Sequence, residues 1–226
     1  LTAIGRQALY NNTTADYNTA VGYRASYANT TGFRNVALGA FTGQNVTTGT
    51  YNVAIGYSAG GANGSNLSGA ENITIGGFSG TNITSANFNV AMGDSTLRNN
   101  TTGSNNTALG QTALYNNTTA SNNTAVGYQA GKAITTSDLG VYVGAYAGLA
   151  VTTGARNTMV GVNAGASTTT GTGNTFIGGA STGQGNGAGK AVTTGSKNTI
   201  LGTYDGNQHG LDIRTSSNNI VLSDGD

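Results

Sequence analysis

The chain has no cysteine, no proline and no tryptophan, and only 8% of its 226 residues are charged. Without cysteine there is neither a disulfide nor a thiolate ligand, and sulfur says nothing about the redox compartment. Without proline no backbone donor is deleted, as a continuous hydrogen-bonded ladder requires. Nine basic against eight acidic side chains leave a formal charge of +1, too little for the cationic footprint of a nucleic-acid binder. No apolar run approaches the roughly 18 residues that cross a bilayer. No basic-then-apolar leader opens the sequence, which starts inside a repeat, so a slice of a longer polypeptide is expected.

What is abundant is glycine, with 38 residues, and its placement is periodic. A variant of Asn-x-Ala-aliphatic-Gly recurs thirteen times, closing at Gly5, Gly22, Gly39, Gly56, Gly76, Gly93, Gly110, Gly127, Gly144, Gly161, Gly178, Gly202 and, decayed, Ser223. The steps are 17, 17, 17, 20, 17, 17, 17, 17, 17, 17, 24 and 21 residues. A fixed period of this kind marks a solenoid, whose units bury apolar faces only against the units above and below. The expected fold is all-β: a parallel β-solenoid, or β-roll, of 17-residue coils, about 13 of them. At ~4.8 Å per coil they would form a rod of about 60 Å. Residues 1–202 read as the repeat shaft, and 203–226 as a degenerate last coil leading into a different module.

The residue before the closing, or anchor, glycine is aliphatic in all thirteen copies, from Ile4, Val21 and Leu38 to Leu201 and Leu222. The residue before that is Ala in seven copies and becomes Tyr142, Met159, Phe176, Ile200 and Val221 toward the C-terminus. Side chains alternate across a strand, so the two columns face opposite ways and both faces are apolar. The aliphatic column is expected to be buried, and double-faced burial predicts that one face fills the coil while the other meets further chains in a homotrimeric rod.

Four residues before the anchor stands Asn in eleven copies, among them Asn18, Asn35, Asn52, Asn89, Asn106, Asn123, Asn157 and Asn174, with Gly140 the exception among complete units. These predict an asparagine ladder at a corner, with amides stacked along the axis and a positive backbone angle at the Asn. A threonine pair eight and nine residues after the anchor, as in Thr13-Thr14 and Thr152-Thr153, predicts a second short strand. Each coil would then hold two strands of about five residues. Insertions at residues 60–71 and 182–197 are expected as loops on one side.

The stretches "NTAVGYRAS", "NVAIGYSAG", "NTALGQTAL" and "NTAVGYQAG" resemble the head repeats of trimeric autotransporter adhesins. In texture they are similar to the arrays of phage tail fibres and bacterial surface fibres that precede an endosialidase-type intramolecular chaperone. The resemblance covers nearly the whole chain. It implies a homotrimer of β-solenoid coils working as a stalk or adhesive head, and a chaperone that is removed or lies beyond residue 226.

Candidate chemistry is sparse. The sole histidine, His209, lies near Asp205 and Asp212, a set that reads as a solvated loop more readily than as a cation site. The "SDGD" at residues 223–226 lacks the rest of a calcium-loop pattern. "GQGNGAGKA" fails as a phosphate loop, because Gln184 stands where glycine is required and Lys190 is followed by Ala191. Serine has no nucleophile-elbow context. No enzyme, cofactor or metal is therefore expected. Tyr23, Tyr57 and Tyr128 follow their anchors and form a column of rings; such a column serves either packing or stacking on the sugars of a receptor glycan.

The expected function is the shaft or adhesive head of a trimeric extracellular fibre, on a virion tail or a cell surface. It would attach to a host, prey or other surface receptor, without nucleic acid and without a membrane span in this segment. The alternative is an ice-binding solenoid built on threonine columns. A polysaccharide-degrading tail spike is less favoured, because paired carboxylates in a groove are hard to build from eight scattered acids.

Overall fold

The computed structural model describes residues 1–61, 67–179, 185, 187–208 and 210–223. They form two compact units, Leu1–Thr119 and Ala120–Asp226. Each is a parallel β-solenoid, and neither contains a helix among the described residues.

The first unit carries β1 (Thr2–Ile4), β2 (Thr19–Val21), β3 (Val36–Leu38), β4 (Val53–Ile55), β5 (Ile73–Ile75), β6 (Val90–Met92) and β7 (Thr107–Leu109), stacked in sequence order. Each pairs in parallel with the next at the same repeat position, as in Ala3 with Ala20 and Ala37 with Ala54. The second unit carries β8 (Thr124–Val126), β9 (Val141–Val143), β10 (Thr158–Val160), β11 (Thr175–Ile177) and β12 (Thr199–Leu201). A small antiparallel hairpin follows, β13 (Asn207–Gln208) with β14 (Leu211–Asp212), before β15 (Ile220–Leu222) rejoins the ladder beside β12.

A coil holds one strand of three residues, not two of about five. The threonine-pair segment stacks coil on coil through its backbone, with the Thr13 N–H donating to the Thr30 carbonyl, but is not a strand. The physical reason lies in the turn. In the coil that follows Gly22, positive φ recurs at Gly22 (138°), Arg24 (55°), Ser26 (50°) and Arg34 (58°). Left-handed residues at alternate positions keep the chain from extending. Backbone donors in this turn still find partners in neighbouring coils: Arg24 donates to the Arg6 carbonyl below, and Ser26 and Ala28 donate to the Thr42 and Gln44 carbonyls above. The turn is thus a ladder in its own right, and these backbone donors are paired without a second strand.

The anchor glycine is demanded twice. Its φ is +126° at Gly5 and +134° at Gly39, and a Cβ there would lie 2.6 Å and 2.7 Å from the carbonyl oxygens of Gly22 and Gly56 in the next coil. A side chain would have to push neighbouring coils apart.

The core lies on the alanine side. Ala20, Ala37, Ala54, Ala91, Ala108 and Ala125, with Thr74, Tyr142, Met159, Phe176 and Ile200, are all buried inside the coils. The aliphatic column points outward and is half-buried to exposed, with Met92 at 43% and Ile177 at 42%. The expectation that this column is buried is therefore corrected for the single chain. A coil this narrow has room inside for a methyl group where its walls already carry larger side chains, so the smaller column is the inner one.

In seven coils those walls come in two kinds, while the coil after Gly161 pairs Gly165 with Thr168 and the coil after Gly22 pairs Ser26 with Asn29. Where the fourth residue after the anchor is leucine (Leu9, Leu97, Leu114), the seventh is asparagine (Asn12, Asn100, Asn117). Where the fourth is glycine (Gly43, Gly80, Gly131, Gly148), the seventh is aliphatic (Val46, Ile83, Ile134, Val151). Leu97, Leu114, Ile83, Ile134 and Val151 are completely buried, so apolar volume moves from one wall position to the other while the interior stays filled. Glycine at the fourth place also makes room for large inner residues: a Cβ on Gly189 would sit 2.5 Å from the Phe176 ring, and one on Gly80 2.6 Å from the Thr74 methyl group.

Candidate functional site

Three side-chain columns run along the coils, and each has a distinct chemistry. The first is the asparagine ladder. Asn18, Asn35, Asn52, Asn89, Asn106, Asn123, Asn157 and Asn174 are all buried. Their amides brace one coil to the next mainly through the backbone. Asn18 Oδ1 accepts from the Asn35 N–H at 2.8 Å, and Asn18 Nδ2 donates to the Gly32 carbonyl at 2.8 Å. Asn35 repeats both bonds with Asn52 and Gly49, and Asn174 repeats them with Asn198 and Gly195. Amide-to-amide bonds join in at places, as from Asn89 to Asn72 at 3.0 Å and from Asn106 to Asn89 at 3.1 Å. The positive φ falls on the preceding residue, such as Tyr17, Arg34 or Asn105, and not on the ladder asparagine. Each amide satisfies two backbone groups that would otherwise be buried without partners, which gives the column its structural purpose.

Gly140 interrupts the ladder for a steric reason. The ring of Tyr142, from the inner column, occupies the space above it, so that a Cβ on Gly140 would lie 2.5 Å from the Tyr142 hydroxyl and 2.6 Å from Cζ. The Gly140 N–H still donates to Asn123 Oδ1 at 2.8 Å. Burial pushes the Tyr142 hydroxyl up to about 12, partly offset by the neighbouring Ser137 and Asn157 side chains. Those neighbours spend their own protons elsewhere, Ser137 on the Gly154 carbonyl and Asn157 on the Gly154 and Gly171 carbonyls.

The second column is the outward strand face, made by the aliphatic residues and by Thr or Val two places before them. The third is aromatic. Tyr23, Tyr57 and Tyr128 are 37%, 52% and 41% exposed. In the first unit, edge-to-face contacts link Tyr23, Phe41, Tyr57 and Phe78 at centroid distances of 5.1 to 5.7 Å. In the second unit Tyr128 meets Tyr146 at 5.2 Å. The rings therefore pack on one another along the stack and leave part of each face open. The participation of Phe41 and Phe78 was legible from their place two residues after the anchor.

Another aromatic set was not singled out from sequence. At the corner just before the ladder, Tyr17, Arg34 and Tyr51 follow one another in successive coils, with Phe33 beside them. The Arg34 guanidinium lies over Tyr17 at 5.7 Å, Phe33 at 5.7 Å and Tyr51 at 5.2 Å. Tyr17, Phe33 and Arg34, with Asp16, line an open cleft of about 280 Å³.

Of the candidate chemistry, His209 and residues 224–226 of "SDGD" lie outside the described residues, as do Gln184 and the neighbouring residues 182, 183 and 186 of its insertion and residues 62–66 of the other. Asp212 is engaged in an ion pair with Arg214 at 2.7 Å, whose hydrogen bonds hold its carboxyl down at about 2. Asp205 accepts from the Asn207 N–H at 2.8 Å. Among the described residues no three His, Cys, Asp or Glu side chains converge as a metal site, and no helix is long and apolar enough to cross a membrane.

No protein-family model, no curated protein and no solved structure matches this chain.

Proposed function

We infer that the chain is the shaft or adhesive head of a homotrimeric extracellular fibre, on a virion tail or cell surface, that attaches to a surface receptor. It acts by binding and carries no catalysis. The observation that supports this reading is the outward aliphatic column. An inner position has a packing reason to be apolar in every coil, but a half-exposed one has none. Strand propensity does not supply it, because Leu38, Met92, Leu109 and Leu201 are not β-branched. An aliphatic residue kept in all thirteen copies on an otherwise polar, weakly charged chain fits a surface that other copies cover. The likeness of the repeats to trimeric adhesin heads and tail-fibre arrays points the same way.

The test is light scattering of the purified chain at micromolar concentration. A trimer has three times the 22.4 kDa chain mass, and replacing Ile55 and Val126 by lysine yields monomers with an unchanged far-UV spectrum. A monomeric parent chain refutes the reading.

The strand face also favours a second reading in one respect, since Thr107, Thr124, Thr158, Thr175 and Thr199 stand outward on β-strands in the manner of an ice-ordering array. The threonine pairs contribute only their second members to it, Thr14, Thr31, Thr48 and Thr102 being exposed, because the first hydroxyl is used on the neighbouring backbone, as from Thr13 to the Thr30 carbonyl at 2.8 Å and Thr101 to the Thr118 carbonyl at 2.9 Å. Thermal hysteresis in a freezing assay separates this reading from the fibre.

A further inference from the structure

We propose that the cleft around Arg34, walled by Tyr17 and Phe33 and edged by Asp16, with Tyr51 against the guanidinium, binds a carboxylate-bearing glycan. The assignment deepens the attachment reading and rests on it for its setting, while the site itself is built within one chain.

Three observations carry it. The first is the company that Arg34 keeps at its corner. Tyr17, Arg34 and Tyr51 occupy the left-handed corner before the ladder at φ 62°, 58° and 57°, as Glu71, Phe88, Leu139, Arg156 and Lys197 do in other coils. Arg34 is the one cation at this corner with aromatic residues at the corners of both neighbouring coils. Those rings are not there to fill a core: Tyr17 is 75% exposed, Tyr51 44% and the adjoining Phe33 39%.

The second is the geometry of the cation. The planar guanidinium has five N–H donors, and the hydrogen bond from Arg34 goes to the Tyr51 hydroxyl. The only ion pair among the described residues is that of Asp212 with Arg214, so no carboxylate of the chain neutralises Arg34. The rings of Tyr17, Phe33 and Tyr51 lie around the guanidinium, which keeps N–H donors beyond the one spent on Tyr51. A guanidinium can take a carboxylate through two parallel hydrogen bonds. The exposed faces of Tyr17 and Phe33 present flat apolar surface for the ring of a sugar, and Asp16 supplies an acceptor for its hydroxyls. Tyr17 and Tyr51 belong to coils two steps apart, ~10 Å along the stack at ~4.8 Å per coil, which leaves room for a sugar laid along the coil axis.

The third is charge. Residues 1–57 contain Arg6, Arg24 and Arg34 but only one acid, Asp16, in a chain that is otherwise close to neutral. They also hold eight of the sixteen Tyr and Phe residues. A locally cationic, ring-rich surface selects an acidic over a neutral polysaccharide.

The experiment titrates the full chain with trigalacturonate and with cellotriose by isothermal calorimetry, with light scattering on the same samples. The expected result is binding of the acidic trimer at least tenfold tighter than the neutral one. Tyr17→Ala and Arg34→Gln each weaken it at least tenfold with an unchanged far-UV spectrum, and Leu139→Ala, at the same corner of another coil, leaves it as it was. Arg34→Lys, which keeps the charge and loses the fork, does not restore the parent affinity. Absence of trigalacturonate binding, equal affinity for cellotriose, or undiminished binding by either the Tyr17 or the Arg34→Gln variant overturns the proposal. Binding by a chain that scatters as a monomer upholds the site and refutes the trimer; a trimer without binding does the reverse.

Discussion

The pairing of Gly140 with Tyr142 gives the sharpest test of how the interior is filled. Tyr142 is completely buried, and truncating a buried aromatic to alanine costs about 3–5 kcal/mol. Gly140→Asn alone restores the ladder residue but forces its Cβ to within 2.6 Å of the Tyr142 ring. The ring has no retreat, since on its other side a Cβ at Gly148 would already be 2.5 Å from Cε1. Overpacking against such a wall costs about 3 kcal/mol. Were the effects independent, the double variant would lose roughly 6–8 kcal/mol. It recreates instead the grammar of the preceding coil, where Asn123, Ala125, Gly131 and Ile134 occupy the places of Gly140, Tyr142, Gly148 and Val151. The new amide would offer Asn157 the side-chain acceptor that Gly140 lacks, and two hydrogen bonds at about 1 kcal/mol each offset part of the lost ring. The double variant is therefore expected within about 2 kcal/mol of the parent, a coupling of about 3 kcal/mol or more. Urea unfolding of the four proteins at one protein concentration measures it. Additivity within about 0.5 kcal/mol would refute the claim that ring and amide compete for one space.

The same tyrosine makes stability sensitive to alkali: its hydroxyl ionises near 10 when unfolded and at about 12 when folded, so the stabilisation is complete below pH 10 and is lost as pH rises toward 12. The loss is about 3 kcal/mol at about 1.4 kcal/mol per pH unit, and a Tyr142→Phe chain followed by circular dichroism lacks that component while differing by less than about 1 kcal/mol at pH 7. Asn174→Ala removes both partners of the Asn198 N–H and the Gly195 carbonyl and costs about 2–4 kcal/mol in denaturant unfolding. Gly144→Ala places a Cβ 2.6 Å from the Gly161 carbonyl at φ +130°; it is expected to open the stack between those coils, seen as faster amide hydrogen exchange in Val141–Val143. Leu139→Asn relieves a 51% exposed residue at φ 62° and raises stability by about 0.5–1 kcal/mol.

The fold was legible because its period is written in the backbone. The anchor glycine must recur wherever a coil closes under the next coil's carbonyl, so Gly5 to Gly202 mark the coils in the sequence, and the polar residue before each strand marks its start. What alternation within Ala-aliphatic cannot state is which face is inside. Period two defines two sides of a strand and assigns neither to the core. The larger aliphatic residues would ordinarily claim it, and they stand outside because the width of the coil is set by residues far along the repeat, such as Leu97 or Ile83. The second strand was misread for a related reason: Thr-Thr has strand propensity, but the left-handed residues that bend the turn are ordinary types, such as Gln7, Arg24 and Phe41, and carry no signal of their angle. The Arg34 cleft was hidden in the same way, since Tyr17, Arg34 and Tyr51 are unlike in type and share only a place in the coil.

Departures from the repeat are therefore more informative than the repeat. When an inner alanine becomes Tyr142, the ladder residue four before the anchor becomes Gly140 and the fourth residue after it is Gly148, so one insertion of volume is matched by two deletions that touch the same ring. Leucine and asparagine at the wall exchange with glycine and an aliphatic residue by the same rule of constant fill. Such compensation accounts for the change at Tyr142 and for the exchange between the two wall types. None is needed for the outward column, which stays aliphatic through both wall types and through every inner residue from alanine to phenylalanine. On the fibre reading proposed above, a column that is indifferent to the interior yet stays aliphatic answers to a constraint from outside the chain. If the outward residues served the fold alone, then Val21→Thr, Ile55→Thr and Val126→Thr, made together, would leave both unfolding and oligomeric state unchanged; covered by other copies, the same three changes shift light scattering toward monomer.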